Sequence, residues 1–526
     1  MITSPCCSHL GLPIRSLPEK DWSSVMTQLL FAIAVCMAQA VAQGNPQPFL
    51  DDYLELVDIG STKQLFLDDH VILEMVGARR EFHRPWKLPQ NPLLRPKNPE
   101  ENAVVAPFAV FYDPRIERFR LWYMCERTDE TTSVLYAESE DGIRWERRAS
   151  TADGRPAGKF SPFNKVWFRH PERAGELGRR VRDPGAIVYH PWEQDPRRRY
   201  KMIQRRGLPL AFSPDGYTWT AEPEMVPSYR GTKDENNFMY DPKGRRWLAF
   251  LRQNPPYVGW THLRRIIIEE SQDMVTWSPT TGVLQPDRDD GFGTSFVRCQ
   301  AYAYEGIYVA LPASFISAEH HNPGWRDQIQ TELAYSRDGL SWSRLPLRPF
   351  IGFGAERTWD RHKAGPALMV THGDKIFFHY LGSTAQHGSS SDDWETAMGA
   401  AILRRDGFVS LEAEAPEQEP AVVLTKVLRF QGDRLYLNAD AQGGEIRVDL
   451  LIGGYPGDIN ASDMDQPWKH RRRSVDPITS DSTRHVVQWE GLADVSKVQG
   501  VPIRLRFIIT GRAKLYAFQF GDRDAR

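Results

Sequence analysis

Apolar and polar residues alternate in short runs over most of the chain, with period two rather than the 3.6 of a helix. Phe108–Tyr112, Phe119–Met124 and Ser133–Ala137 are three such runs in succession, separated by turn residues such as Asp113-Pro114. The same order of strand, turn and strand recurs in the runs opening at Gly185–Tyr189, Phe238–Tyr240, Ala301–Tyr304 and Ala367–Val370. Each group ends in one phrase: Ser139-Glu-Asp141-Gly-Ile-Arg-Trp145, Ser213-Pro-Asp215-Gly-Tyr-Thr-Trp219, Ser271-Gln-Asp273-Met-Val-Thr-Trp277 and Ser336-Arg-Asp338-Gly-Leu-Ser-Trp342. A worn fifth copy is Arg404-Arg-Asp406-Gly-Phe408. The intervals between the Asp residues, 74, 58, 65 and 68, mark one repeated supersecondary unit. A strand-rich repeat of this length, with one turn phrase and one aromatic per copy, predicts a β-propeller, here of five blades over residues 96–413. Asp-Gly supplies a turn with positive φ, and the Trp is placed to pack between neighbouring blades. The five Asp residues are therefore read as turn structure rather than as catalytic acids.

Before the repeats, residues 43–95 form an N-terminal segment that is a candidate to close the propeller by adding a terminal strand, which would remove an open sheet edge. After them, Pro and Glu in residues 414–425 read as a linker. Residues 426–526 alternate in longer runs, among them Glu445–Leu451, Ile503–Ile509 and Lys514–Phe520, and predict a β-sandwich. The chain is expected to be all-β: a five-bladed propeller followed by a C-terminal sandwich.

Composition narrows the chemistry. Lys and Arg number 66 against 68 Asp and Glu, a balance that gives no general attraction for nucleic acid or an anionic membrane. Sixteen Trp, 18 Tyr and 25 Phe suit sheet packing and the stacking of sugar rings. The apolar run Leu29–Met37 is too short to span a bilayer and ends in Ala38-Gln-Ala40, so residues 1–42 read as a secretory signal peptide and the protein as secreted or periplasmic. Outside that segment only Cys125 and Cys299 remain, read as two free thiols. No CxxC pair or HExxH motif is present, so a zinc site has no sequence support and no metal or cofactor is assigned, with an axial calcium ion left open.

Propellers gather the openings of their inner strands at one end of a funnel. Aligning the blades on Tyr112-Asp113-Pro114, Tyr189-His190-Pro191 and Tyr240-Asp241-Pro242 places Ala106, Asp183 and Asp234 at one equivalent position. Glu235 stands beside Asp234. Glu101 precedes the first blade, and Glu356, Trp359 and Asp360 precede the fifth. His387 follows an inner strand, and Arg182 precedes Asp183. Two carboxyls flanking a glycosidic bond, one protonated and one ionised, are what sugar hydrolysis needs, so Asp183, Asp234, Glu235 and Glu101 are the candidate catalytic residues. Arg182, Glu356, Trp359, Asp360 and His387 are candidate substrate contacts.

This layout, with Arg182-Asp183-Pro184 opening the second blade, resembles glycoside hydrolases of families 32, 43 and 68, most of all secreted family-32-like proteins. The resemblance implies that Asp183 binds sugar hydroxyls and stabilises the transition state, and that Glu235 is the acid/base. It also implies a nucleophile in an Asn-Asp-Pro-Asn-Gly-type phrase in the first blade. This chain has no such phrase, only Glu100-Glu101-Asn102 and Ala106. A carbohydrate hydrolase is therefore the leading expectation, with a non-catalytic carbohydrate-binding propeller as the alternative. A sialidase-like enzyme is a third reading, which five copies of a shortened Asp phrase disfavour.

Overall fold

The computed structural model describes residues 55–97, 105–126, 132–147, 167–169, 184–204, 207–230, 236–254, 264–290, 293–316, 327–386, 395–452, 471–473, 476–489 and 491–523. Residues 1–42, read from the sequence as a signal peptide, lie outside them. Among the described residues there are strands and two short 3-10 turns but no α-helix, so the fold is all-β. No described helix is long and apolar enough to cross a membrane.

Five short strands come first: β1 (Leu56–Gly60), β2 (Gln64–Leu65), β3 (Ile72–Val76), β4 (Ala78–Phe82) and β5 (Trp86–Lys87). A four-stranded antiparallel meander follows, β6 (Ala106–Asp113), β7 (Arg118–Glu126), β8 (Thr132–Ser139) and β9 (Glu146–Arg147). The next sheet joins β10 (Trp167–Arg169), β11 (Pro184–Tyr189), β12 (Tyr200–Gln204), β13 (Ala211–Ser213) and β14 (Thr218–Ala221), with β10 parallel to β14 on the outer edge. Then come the meander β15 (Asn237–Asp241), β16 (Arg246–Gln253), β17 (Arg265–Ser271) and β18 (Gly282–Leu284). The strands β19 (Thr294–Tyr304), β20 (Ile307–Ile316), β21 (Gln328–Thr331), β22 (Ala334–Ser336) and β23 (Ser343–Arg344) are linked through β21 to β24 (Lys363–His372), β25 (Lys375–Ser383) and β26 (Thr396–Arg404). On the far side of β26 lies β5, Trp86 opposite Ile402 and Lys87 opposite Ala401.

The first strand of each meander neighbours that of the next. β6 touches β11, β11 touches β15, β15 touches β19 and β19 touches β24, and β24 touches β6, so the series closes on itself. Between these sheets lie separate apolar clusters, such as Trp122, Tyr136, Tyr200, Met202 and Trp219 between the first two.

The repeated phrase explains itself at atomic level. In each of the first four copies the Ser hydroxyl donates to the Asp carboxylate, 2.9–3.0 Å away, and accepts the amide three residues on. The Asp Oδ1 takes two further amides, for example those of Leu340 and Ser341 at 2.7 Å. Burial pushes Asp338 upward, but those amides outweigh it and hold the carboxyl at about 2. The residue after the Asp has φ of 73° at Gly142 and 77° at Gly216 and Gly339, the left-handed region that favours glycine. Met274 adopts φ 67° in the third copy, with its side chain buried. The fifth copy has changed use: Asp406, fully buried, accepts from Tyr304 Oη at 2.6 Å and Asn438 Nδ2 at 2.9 Å, and pairs with Lys63 at 3.0 Å.

The remaining strands are β27 (Val409–Ala413), β28 (Ala421–Thr425), β29 (Val427–Phe430), β30 (Arg434–Asp440), β31 (Gly444–Ile452), β32 (Arg471–Arg473), β33 (Asp481–Val486), β34 (Ile503–Gly511) and β35 (Lys514–Gly521). They form two sheets, one in the order β1-β29-β34-β28-β3 with β31 also on β34, the other β33-β30-β35-β27-β4 with β2 also on β35. Phe66 and Phe507 meet Phe518 between the two sheets, with ring centroids 6.0 and 5.6 Å from it. Residues 56–82 thus pair with strands hundreds of positions later, and the stretch read as a linker contains β28. Alternation along the chain marks a strand but not its partner, which is why neither pairing is visible in the sequence.

Candidate functional site

The inner strands run in one direction. Rings near their C-terminal ends meet: Phe111 of β6 and Tyr189 of β11 at 6.1 Å, His190 and Tyr240 of β15 at 4.3 Å, Tyr112 and His372 of β24 at 4.1 Å. Their N-terminal ends therefore share the opposite end of the molecule. There β6 opens with Ala106, β11 with Pro184, β15 with Asn237, β19 with Thr294 and β24 with Lys363.

Polar side chains concentrate along these openings although the strands around them are apolar. Asn236 is buried and its Oδ1 accepts from the Arg252 amide at 3.3 Å. Asn237 Nδ2 donates to the Cys299 carbonyl of β19 at 3.4 Å. Arg298 is buried on β19 and reaches across to β6, where its Nη2 donates to the Phe108 carbonyl at 3.5 Å. His362 and Lys363 are buried at the start of β24. Burying such groups costs free energy unless they are paired, so they are placed here against the packing preference of the strands. Arg298 and Lys363 place basic side chains at this end of the ring. Sequence reasoning did not single out Arg298, Lys363 or Asn237. The signal was available as a lone cation in the run Phe296–Ala301 and as an Asn pair just before and at the opening of β15.

The predicted site residues divide. Glu101, Arg182, Asp183, Asp234, Glu235 and His387 lie outside the described residues. Ala106 is half-buried at the start of β6. Glu356 is exposed on the turn closed by the Thr358 amide on the Ala355 carbonyl, 3.0 Å apart. Trp359 lies over Gly382 and Gly399, where added Cβ atoms would fall 2.0 and 2.6 Å from its ring. Asp360 is buried, and its carboxylate accepts from Lys87 Nζ at 2.6 Å, Tyr380 Oη at 2.9 Å and Thr358 Oγ1 at 3.0 Å. Trp359 and Asp360 are thus joined to each other through packing on β25 and β26, and Asp360 ties β5 to that sheet. Glu356 does not join them.

Cys299 is buried on β19, and burial pushes its thiol well above the usual range, so it offers no nucleophile. The side chain of Cys125 is not among those described. Among the described residues no group of three or more His, Cys, Asp or Glu is arranged to hold a metal ion.

No protein-family model matches the sequence, and no curated protein is significantly similar to it. Solved structures with a similar trace include a thermostable family-43 glycoside hydrolase, 14% identical, covering 61% of this chain and 94% of that one with a TM-score of 0.40. A structure from the family-130 mannoside phosphorylases and glycoside hydrolases is 15% identical, covers 61% and 94% of the two chains, and has a TM-score of 0.41. A fructofuranosidase from Schwanniomyces occidentalis, complexed with fructosylnystose, is 10% identical and covers 81% and 96%, with a TM-score of 0.36.

Proposed function

We propose that this chain is a secreted, five-bladed propeller with a trailing β-sandwich, and that it hydrolyses glycosidic bonds in an oligo- or polysaccharide. One observation carries the reading. The neighbouring inner strands β11 and β15 open directly after Asp183 and after Asp234-Glu235-Asn236, at the end of the ring where Asn237, Arg298 and Lys363 are buried. Carboxylates on adjoining strand openings suit the two roles of sugar hydrolysis. Glu235, or Asp234 beside it, protonates the leaving oxygen, while Asp183 stays ionised, orients the sugar hydroxyls and stabilises the positive charge that develops on the sugar ring. Arg182 is the nearest cation in sequence to Asp183 and favours that ionised state. Glu101 is the acid that precedes β6 and serves as the opposing carboxylate.

A second reading has its own support. Ala106 opens β6, and the sequence alignment of the blades sets it against Asp183 and Asp234 of the second and third. A funnel lacking that carboxylate suits a carbohydrate-binding protein without hydrolytic activity. Screening the purified protein on a glycan panel separates the two. Release of reducing sugar, lost in Asp183→Asn with an unchanged thermal midpoint, is expected for the hydrolase. Binding without release on any glycan supports the second reading and defeats the first.

A further inference from the structure

Strands β1 to β4 take their sheet partners from the far end of the chain. β1 lies parallel to β29, Leu56 opposite Val427, and β3 pairs with β28, Val76 opposite Val422. β4 pairs with β27, Phe82 opposite Val409, and β2 with β35, Gln64 opposite Phe518. Side chains repeat the span: Arg429 Nη2 donates to Asp58 Oδ2 at 2.7 Å across 371 positions, and Gln519 Nε2 to the Ser61 carbonyl at 3.0 Å across 458.

The ring of inner strands is built the opposite way. Its strands pair with their neighbours in the chain through short turns, Asp113 opposite Arg118, Asp241 opposite Arg246 and Tyr304 opposite Ile307. The ring closes where β24 meets β6, and β1 to β4 have no place in it. Yet the segment is no loose end. Val57, Leu65, Phe66 and Val71 are buried in one apolar cluster with Phe507 and Phe518 of the C-terminal sheets, and that cluster runs on to Phe378 of β25 and Leu403 of β26. Polar contacts fasten it to the turns below the ring: Arg337 donates to Asp68 at 2.7 Å and Lys63 to Glu305 at 3.0 Å.

Joining strands hundreds of residues apart costs loop-closure entropy before any contact repays it, whereas consecutive strands close loops of a few residues. We propose that residues 55–82 are a strap that docks last. The ring forms from its own consecutive strands, the strap stays unpaired until β27 to β35 are in place, and its docking completes the two C-terminal sheets and fastens them to the sheet of β24–β26. Synthesis runs from the N-terminus, so the strap is the first of these parts to be made and the last to find its partners. Until it docks it is an exposed apolar segment, open to an apolar dye or to a chaperone that holds extended chains.

Refolding of the full chain from urea, with pulsed amide exchange read peptide by peptide, tests the order. Peptides from β7, β16 and β20 are expected to gain protection in an early phase. Those from β1 to β4, β28, β34 and β35 should gain it together, about tenfold more slowly or less rapidly still. The dye ANS should brighten with the first phase and fade with the second. Native-state exchange at rising urea, which needs no refolding, should show the same two groups, the strap opening with the C-terminal sheets before the ring. Phe66→Ala empties the place of a ring that packs on both Phe507 and Phe518. It should speed exchange of the second group by about a hundredfold or more and leave the early phase unchanged. Where the variant never completes the C-terminal sheets, β7 and β16 should still become protected, and loss of their protection overturns the proposal. Protection of β1 to β4 before or together with the ring, or in a phase apart from β28 and β34, overturns it as well.

Discussion

Trp145 departs from the other copies of its phrase in a way that gives His379 a role. Trp219, Trp277 and Trp342 donate their Nε1 to the carbonyl three residues back, at 3.0, 2.9 and 3.1 Å. Trp145 Nε1 is buried without a partner among the described residues, and the Gly142 carbonyl is taken instead by His379 Nε2 of β25, 2.8 Å away. A carbonyl can only accept, so His379 carries its proton on Nε2. Its Nδ1 is buried with no partner among the described residues, and burial lowers its pKa to about 4. Unfolded, a histidine titrates near 6.5, so between about pH 6.5 and 4 the unfolded chain binds a proton that the native one refuses. Stability is therefore complete above that window and falls as the pH drops through it. The loss attributable to His379 between pH 7 and 4.5 is about 2 to 3 kcal/mol. His379→Gln, whose amide can still reach the carbonyl, should remove that part of the loss. Urea titrations of both proteins at the two pH values measure it, and parallel losses would dismiss the assignment.

Between sheets, the end of one inner strand is latched to the second strand of the next. Asp113 ends β6 and accepts Tyr200 Oη from β12 at 2.8 Å, while Arg115 grips the same carboxylate at 2.7 Å and Arg120 lies 3.5 Å from it. Asp241 ends β15 and accepts Tyr308 Oη from β20 at 2.6 Å and Arg246 Nε at 3.0 Å. Burial raises the pKa of Asp113, but the Arg115 and Tyr200 hydrogen bonds prevail and bring it to about 2. Its contribution is therefore present above about pH 4 and lost as the pH falls through 2. The intervening junction is aromatic: His190 follows β11 and meets Trp247 of β16 at 5.3 Å. Asp113→Asn, which leaves the buried Arg120 without its counter-charge, is expected to cost about 3 kcal/mol, and Tyr200→Phe about 1 kcal/mol. In denaturant cycles the pair should couple, while Asp113 with Tyr308 should be additive. Additivity within the first pair would dissolve the latch. These elements were largely legible, because strand alternation and the Asp-Gly turns are local chemistry written at fixed spacing. The latches were not, since Tyr112-Asp113-Pro114 reads as a turn and its partner tyrosine lies 87 residues away.

At the scale of the whole molecule, the N-terminal segment adds β5 to the outer edge of the sheet that contains β24–β26, and here a residue chosen from sequence as a sugar contact has a different set of neighbours. An acid before an inner strand suggests a funnel carboxylate. What the spacing along the chain cannot show is that Lys87, 273 positions earlier, lies on the adjoining edge strand and donates to it. The ring of inner strands was legible only as far as the strand openings; the burial of Arg298, Asn237 and Lys363 depends on which strands lie side by side. If Asp360 serves closure, Lys87→Met leaves a buried carboxylate without its cation and is expected to cost about 2 to 3 kcal/mol. Asp360→Asn should cost a similar amount, and the double variant less than the sum of the two. Faster amide exchange should then appear along β26 opposite β5, at Ala401 and Ile402. If Asp360 contacts sugar instead, Asp360→Asn should lower glycan turnover or binding with the denaturation midpoint and β26 exchange unchanged. Measuring midpoint, exchange and glycan activity on the same three variants decides between the two roles. The Lys87 and Tyr380 bonds, which together satisfy one carboxylate oxygen, favour closure.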